Sequence, residues 1–110
     1  MSQSQTDDEY GFVTIPYWVL HGDYFESAEQ ILLYIALANK QDAHGYCHPS
    51  MSLLAHDAMC SRSTALRNLK RLEELGLITR HRRTAEDGCQ LSNEYYVPTR
   101  PTVKQKGAVR

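Results

Sequence analysis

The sequence predicts a mainly α-helical fold with a small β-hairpin, built on three helices. Three observations lead to this prediction. The stretch 62–75 carries its apolar residues on one stripe, with a serine before it and a glycine after it. A second helical pattern ends about four residues earlier. Further along, two β-prone segments flank the pair Asp87-Gly88, which is a favoured two-residue hairpin turn.

The first long helix is predicted over 28–40. Ser27 and Gln30 precede and open it with the spacing of a capping box. Its middle is apolar on nearly every side, so it should be buried from several directions. The protein core is the expected cover, and a dimer interface is the alternative. Before this helix, 12–15 predicts a short extended piece, and Pro16 suits the first turn of a short helical segment.

The second and third helices follow a loop predicted over 41–49. Ser50 should cap the short second helix, and Ser61 should cap the third. Gly76 stands where a helix ends in a left-handed residue. The residues expected in the core are Trp18, Ile31, Leu32, Ile35, Leu54, Ala65, Leu69, Leu72 and Ile78.

The hairpin, called the wing below, is predicted from residues 77 to 97. A turn centred on Asp87-Gly88 places Ile78 opposite Val97 and Arg80 opposite Tyr95. The domain is therefore expected to span 12–98. It lies between a disordered acidic tail at 1–11 and a flexible basic tail at 99–110.

Composition excludes several classes of protein. Hydrophobic residues make up 42% and charged residues 23%, which is typical of a globular protein. No apolar run approaches the ~18 residues of a membrane span, and the acidic N-terminus lacks the features of a signal peptide. Three cysteines in so short a chain do not form a disulfide framework. We therefore expect reduced thiols, a cytoplasmic location near the nucleoid and no membrane partner.

Charge is distributed unevenly behind a net charge of −1. Residues 1–60 contain eight carboxylates and one lysine, whereas residues 61–110 contain eleven Lys or Arg and five carboxylates. This asymmetry favours a nucleic-acid partner, with the acidic part of the chain facing away and orienting the basic face.

The second and third helices together have the helix-turn-helix arrangement. The third helix must bury one stripe to be held rigidly, and its opposite face must carry donors for base edges and phosphates. Free amides and the helix dipole attract phosphate, which suits Ser61-Arg62-Ser63-Thr64 at its start. Arg67 lies about one turn further on, beside Ser63. Lys70 and Arg71 lie a turn beyond, where phosphate contact is expected.

The stretch 61–78 resembles the recognition helix and first wing strand of winged helix-turn-helix regulators. The wider stretch 12–97 is similar to helix-turn-helix modules of phage and plasmid replication proteins, through Val13-Thr14-Ile15-Pro16, the helix from Ser27 and His48-Pro49-Ser50. The resemblance implies a three-helix winged helix-turn-helix fold that binds double-stranded DNA sequence-specifically. It also implies a transcriptional regulator of bacterial or phage origin. The alternative role is that of a replication initiator or partition protein, since the fold alone does not separate them.

The expected DNA contacts combine the helix pattern with this resemblance. They are Ser61, Arg62, Ser63, Thr64, Arg67, Lys70 and Arg71 on the helix, and Arg82 and Arg83 at the wing. Two positions depart from the pattern. Leu66 stands where many relatives carry a polar or basic residue, so it is assigned to a thymine methyl, a protein partner or the core. Glu86 and Asp87 make the wing tip acidic, so the base of the wing is the better contact.

Other functions are less well supported by the residues. His44, Cys47, His48, His56 and Cys60 have the types that suit zinc, but their spacing matches no standard zinc knuckle. No nucleophile elbow, P-loop or dinucleotide fingerprint is present, so we expect no enzyme, metal, cofactor or small-molecule ligand. A protein-interaction domain that uses the apolar first helix or Leu66, and binds no DNA, is the alternative from another class. A single module often binds DNA weakly, which makes a homodimer a further expectation.

Overall fold

A computed structural model describes residues 12–88 and 91–98, so both predicted tails lie outside the described residues. The helices are α1 (Tyr17–His21), α2 (Ala28–Ala38), α3 (Met51–Asp57) and α4 (Arg62–Glu74). The strands are β1 (Tyr46–Cys47), β2 (Thr79–His81) and β3 (Glu94–Tyr96). The predicted class, mainly α with a small antiparallel sheet, is confirmed. Within the described ranges, no helix has the length and apolar character that crossing a membrane requires.

Three serines begin the three longer helices. Ser27, Ser50 and Ser61 have extended backbones, and each side-chain oxygen accepts the amide N–H three residues later. This satisfies a donor that the first helical turn leaves free. Helix α2 ends at Ala38, two residues before its predicted end. There, Asn39 turns its side-chain amide back onto the Ile35 carbonyl at 2.9 Å.

The core lies between α2, α3, α4 and the sheet. Leu33, Leu37, Leu54, Leu69 and Leu72 are fully buried there. Of the predicted core residues, Leu54, Ala65, Leu69, Leu72 and Ile78 are confirmed, while Trp18, Ile31 and Ile35 are half-buried against the core. The prediction for Leu32 is wrong, because 36% of it is exposed. Helix α2 is apolar all round, so the sequence did not identify which face turns inward.

An aromatic cluster closes the core beside α1. Trp18 lies with its ring centroid 5.3 Å from that of Tyr34, in an edge-to-face arrangement. The Tyr34 hydroxyl donates a hydrogen bond to the Pro98 carbonyl at 2.9 Å. Burial of this phenol raises its pKa to about 12. The contact joins α2 to the end of the wing and so holds the end of β3 against this helix.

The sheet has three strands in the order β1-β3-β2, all antiparallel. The predicted opposition of Arg80 and Tyr95 is confirmed. The expected wing has two strands, but the sheet has a third, β1, and this strand lies within the loop expected over 41–49. Both expectations are wrong at this point. Gly45 has φ +91°, which favours glycine, and its carbonyl accepts the Val97 N–H at 3.0 Å. This turn lays Tyr46–Cys47 along β3, and two residues are too few to show a strand periodicity.

Candidate nucleic-acid interface

Helices α3 and α4 are joined by a tight turn over residues 58–61. The Cys60 N–H donates to the Ala55 carbonyl at 3.0 Å, and Met59 between them has φ +57°. This is the Schellman arrangement in which a helix ends through one left-handed residue. Glycine usually holds that place, and Met59 holds it here with its side chain exposed. The turn fixes where α4 begins and hence which of its residues face outward.

The start of α4 is held by Ser61. Its hydroxyl oxygen accepts the Thr64 N–H at 3.1 Å and its proton is donated to the Thr64 hydroxyl at 3.0 Å. Both side chains are therefore part of the cap. The amides of Arg62 and Ser63 come before the first intrahelical bonds and point out of the helix end, where an anion binds well.

The face of α4 opposite the core carries a polar stripe of Ser63, Arg67 and Lys70. At 100° per residue these three lie on the far side of the helix from Ala65 and Leu69. All three are exposed. Among residues 12–88 and 91–98, Arg67 and Lys70 have no hydrogen-bond or ion-pair partner. This stripe brings together three sequence-predicted contact residues in one row that a groove can receive.

One flank of α4 faces the wing across a polar crevice. Arg62 lines this crevice together with Ser92 and Asn93 of the wing and with Ser50 and Ser52 at the start of α3. The crevice has a volume of about 360 Å³. The Asn93 side-chain oxygen is buried and has no partner within the described residues. A cation and several hydroxyl or amide groups thus converge at the junction of helix and wing.

The base of the wing adds further cations. Arg82 lines a smaller recess next to the crevice, together with Glu73, Arg80 and Asn93. Arg80 is held by Glu73 at 3.0 Å between its Nε and the carboxylate. Arg82 and Arg83, in contrast, have no side-chain ion pair with any residue of the described ranges. Arg82 and Arg62 therefore both lie beside Asn93, at the junction of the wing and α4.

Arg71 lies on the other flank of α4 and differs from the remaining predicted contacts. Its Nε and Nη2 atoms each donate to the Glu26 carboxylate at 2.9 Å, and its Nη1 donates to Glu74 at 3.2 Å. Hydrogen bonds and charge from these two carboxylates raise the pKa of Arg71. The expectation that the acidic N-terminal part faces away from the basic helix is wrong at Glu26.

Sequence reasoning missed part of the site. Ser50, Ser52 and Asn93 line the crevice beside Arg62, although only Ser50 carried a signal, and that signal was for capping. Leu66 is 39% exposed on the wing-side flank, so the core assignment among its three alternatives does not hold. Among the described residues, no three His, Cys, Asp or Glu side chains are grouped to hold a metal ion.

Comparisons with known proteins agree with this fold. Residues 27–78 match the family model described as "Helix-turn-helix domain". No curated protein sequence matches the chain. Among solved structures, the chain is similar to "N-Terminal domain of DNA binding protein", with 20% identity and a TM-score of 0.61 over 94% of this chain and 86% of that one.

Two further solved structures share the architecture. "Structure of Rep-DNA complex" gives 19% identity and a TM-score of 0.57, covering 96% of this chain and 87% of that one. "Possible transcriptional regulator from Methanosarcina mazei Go1" gives 16% identity and a TM-score of 0.55, covering 74% of this chain and 64% of that one. Likeness at these identities establishes the fold.

Proposed function

Because this chain has the winged helix-turn-helix fold and its residues 27–78 match a helix-turn-helix family model, we propose that it binds double-stranded DNA through α4. The observation that carries the proposal is the row of Ser63, Arg67 and Lys70. These side chains are exposed on a helix whose opposite stripe is fully buried. A rigid helix with an unpaired cationic face meets the requirements for entry into the major groove.

The residues divide into two kinds of contact. Ser63 and Arg67 lie near the start of α4, where side chains reach base edges, and Lys70 lies further along, where the groove curves away and phosphate is nearer. The capped start of the helix, Ser61 to Thr64, offers free amides to a backbone phosphate. Sequence discrimination is thus assigned chiefly to Arg67 and orientation to the remaining contacts.

The wing is proposed to contact the flanking DNA backbone or minor groove through its base. Arg62 lines the crevice between α4 and the wing, Arg82 lines the recess that shares Asn93 with it, and Arg83 follows Arg82 in the chain. Glu86 and Asp87 at the tip are exposed and would repel phosphate. The sugar-phosphate backbone that borders the major groove would therefore pass over the crevice, while the tip of the wing stays clear of DNA.

The proposed biological role is sequence-specific transcriptional regulation in a bacterium or phage. It acts by binding, without catalysis, in the cytoplasm where the DNA lies. A part in replication initiation or partition is the second candidate. The similar solved structures support both roles, because one is named for a Rep-DNA complex and another for a possible transcriptional regulator. Binding to a defined operator within a promoter would support the regulatory role. Binding to repeated sites at a replication origin would support the second candidate.

A protein-interaction role is supported by a different surface. Val13, Leu32 and Ile35 line a shallow, largely apolar recess on the outer face of α2, and Val13 is 58% exposed. This surface is also the candidate for a homodimer contact. Such an interface depends weakly on salt, whereas DNA binding through phosphates depends on it steeply.

The proposal is tested by fluorescence anisotropy of a labelled pool of random duplexes at several salt concentrations. The expected log–log slope of affinity against salt is about −3 to −6, corresponding to a handful of phosphates. On the preferred sequence selected from that pool, Arg67→Ala should lower affinity by at least about fivefold. Its matched control is Lys40→Met, which removes the same charge from the end of α2 and should change affinity by less than about twofold. No binding even at low salt would overturn the proposal.

A further inference from the structure

The Arg71 guanidinium is held from two sides. Glu26 accepts from Nε and Nη2 at 2.9 Å each, and Glu74 accepts from Nη1 at 3.2 Å. A two-pronged contact between a guanidinium and a carboxylate is stronger and better defined than a single charge pair. Although exposed ion pairs contribute little in general, this one has bidentate geometry within a network.

The Glu26 carboxylate is itself held in place from below. The Glu26 N–H donates to the Gln30 side-chain oxygen at 2.9 Å, and the Gln30 side-chain nitrogen donates to Glu26 at 3.4 Å. The same nitrogen donates to Asn68 at 3.3 Å, and Asn68 donates onward to the Thr64 carbonyl at 3.0 Å. Gln30 is only 3% exposed. A partly buried polar network centred on Gln30 therefore joins the start of α2 to α4 and fixes the position of Glu26.

The two flanks of α4 consequently differ in charge. On the wing side, Arg62 and Arg82 have no ion-pair partner within the described residues. On the other side, Arg71 faces the carboxylates of Glu26 and Glu74, and the charges of these three side chains sum to −1. A DNA backbone approaching α4 is attracted on one side and repelled on the other.

We propose that Glu26 withholds Arg71 from the DNA backbone and thereby lowers the affinity and salt dependence of DNA binding. This inference rests on the proposed DNA-binding function. Glu26 accepts two hydrogen bonds from the Arg71 guanidinium, so this guanidinium is not available to a phosphate. A phosphate contact carries no information about the DNA sequence. Losing a phosphate contact lowers affinity by a similar factor on every sequence, so Glu26 sets the overall strength and salt dependence of binding, while base contacts by Arg67 set the sequence preference. The negative flank also biases the duplex toward the wing.

The test is a double-mutant cycle of Glu26→Gln and Arg71→Ala, measured on random duplexes over a series of salt concentrations. Glu26→Gln should raise non-specific affinity by roughly threefold to tenfold at low salt and steepen the log–log slope by about 0.9, the value of one additional phosphate contact. Adding Arg71→Ala to Glu26→Gln should remove that gain. In the wild-type background, Arg71→Ala should lower affinity by less than about threefold.

Glu29→Gln is the matched control, since it removes the same charge three residues away on α2 without touching Arg71. An affinity gain for Glu29→Gln equal to that for Glu26→Gln would overturn the inference. An equal loss from Arg71→Ala in both backgrounds would do so as well, because additive effects exclude coupling. If Glu26→Gln fails to fold by circular dichroism, Arg71→Ala is compared with Lys70→Ala, which removes a proposed phosphate contact. A loss for Arg71→Ala as large as that for Lys70→Ala contradicts the withheld state.

Failure of the inference is distinguishable from failure of the function. If the wild-type protein does not bind duplex at low salt, the proposed function fails and this inference fails with it. If the wild type binds with a steep salt dependence while the cycle shows no coupling, only the role of Glu26 is wrong.

Discussion

Helices α2 and α4 both pack against the core, but they differ in how much of their surface is apolar. In α4, the buried residues Ala65, Leu69 and Leu72 form a narrow stripe, and charged side chains occupy much of the rest of the surface. In α2, apolar residues cover nearly the whole circumference, and the structure buries Leu33 while leaving Leu32 partly exposed. Charged residues thus specify orientation by excluding the wrong faces, whereas apolar residues alone leave several faces eligible.

The largest expected effect comes from removing core leucines from both helices. Leu33→Ala and Leu69→Ala should each lower the free energy of unfolding by about 2–5 kcal/mol, since both side chains are fully buried. Leu32→Ala should lower it by less than about 1 kcal/mol. Urea denaturation followed by circular dichroism measures all three. Equal losses at positions 32 and 33 would contradict the orientation of α2.

The ends of α3 and α4 offer the second comparison. Gly76 ends α4 with φ +80°, and Met59 ends α3 with φ +57°. Gly76→Ala should lower the free energy of unfolding by about 1–2 kcal/mol, because a side chain is strained in the left-handed region. Met59→Gly should raise it by up to about 1 kcal/mol for the same reason. Thermal melts of the two variants are the measurement, and a destabilised Met59→Gly protein would show that the methionine is not strained there.

The caps of α2 and α4 separate stability from binding. Ser27→Ala and Ser61→Ala each remove one hydrogen bond to a first-turn amide, and each should cost about 1 kcal/mol of stability. Only Ser61→Ala should also weaken DNA binding, since Ser61 orders the end of α4 that is proposed to meet phosphate. Thermal melts and anisotropy on the same samples check both parts. Weakened binding in Ser27→Ala would contradict the assignment of the interface to α4.

The smallest effect concerns the ion pair between the ends of α2 and α3, where Lys40 contacts Asp57 at 2.6 Å. Burial disfavours the Asp57 carboxylate, but the hydrogen bond and charge of Lys40, with a contribution from His56, hold its pKa below the ordinary value. The pair therefore stabilises the fold above the ordinary carboxyl pKa of about 3.9, and this contribution is lost as pH falls through the lower pKa of the folded state.

Lys40→Met should remove less than about 1 kcal/mol of stability at neutral pH, as expected for a largely surface pair. Near pH 3 the difference between variant and wild type should shrink. Urea denaturation at both pH values checks the sign. A difference that grows in acid would contradict the assignment.

A structural feature can be predicted from the sequence when the residues that determine it lie close together in the chain. The serine caps, Gly76 and the opposition of Arg80 with Tyr95 depend on neighbouring residues or one turn, and all were predicted. Strand β1 was missed because its pairing depends on β3, about fifty residues away. The pairing of Glu26 with Arg71 across 45 positions is likewise a product of packing, which no local pattern reports.

The most direct test of the proposed interface is nuclear magnetic resonance of the labelled protein as duplex DNA is added. Amide shifts are predicted to change most along 61–70 and at Arg82 and Arg83, with the outer face of α2 around Leu32 unaffected. Changes confined to the outer face of α2, with α4 unmoved, would contradict a DNA-binding role for α4.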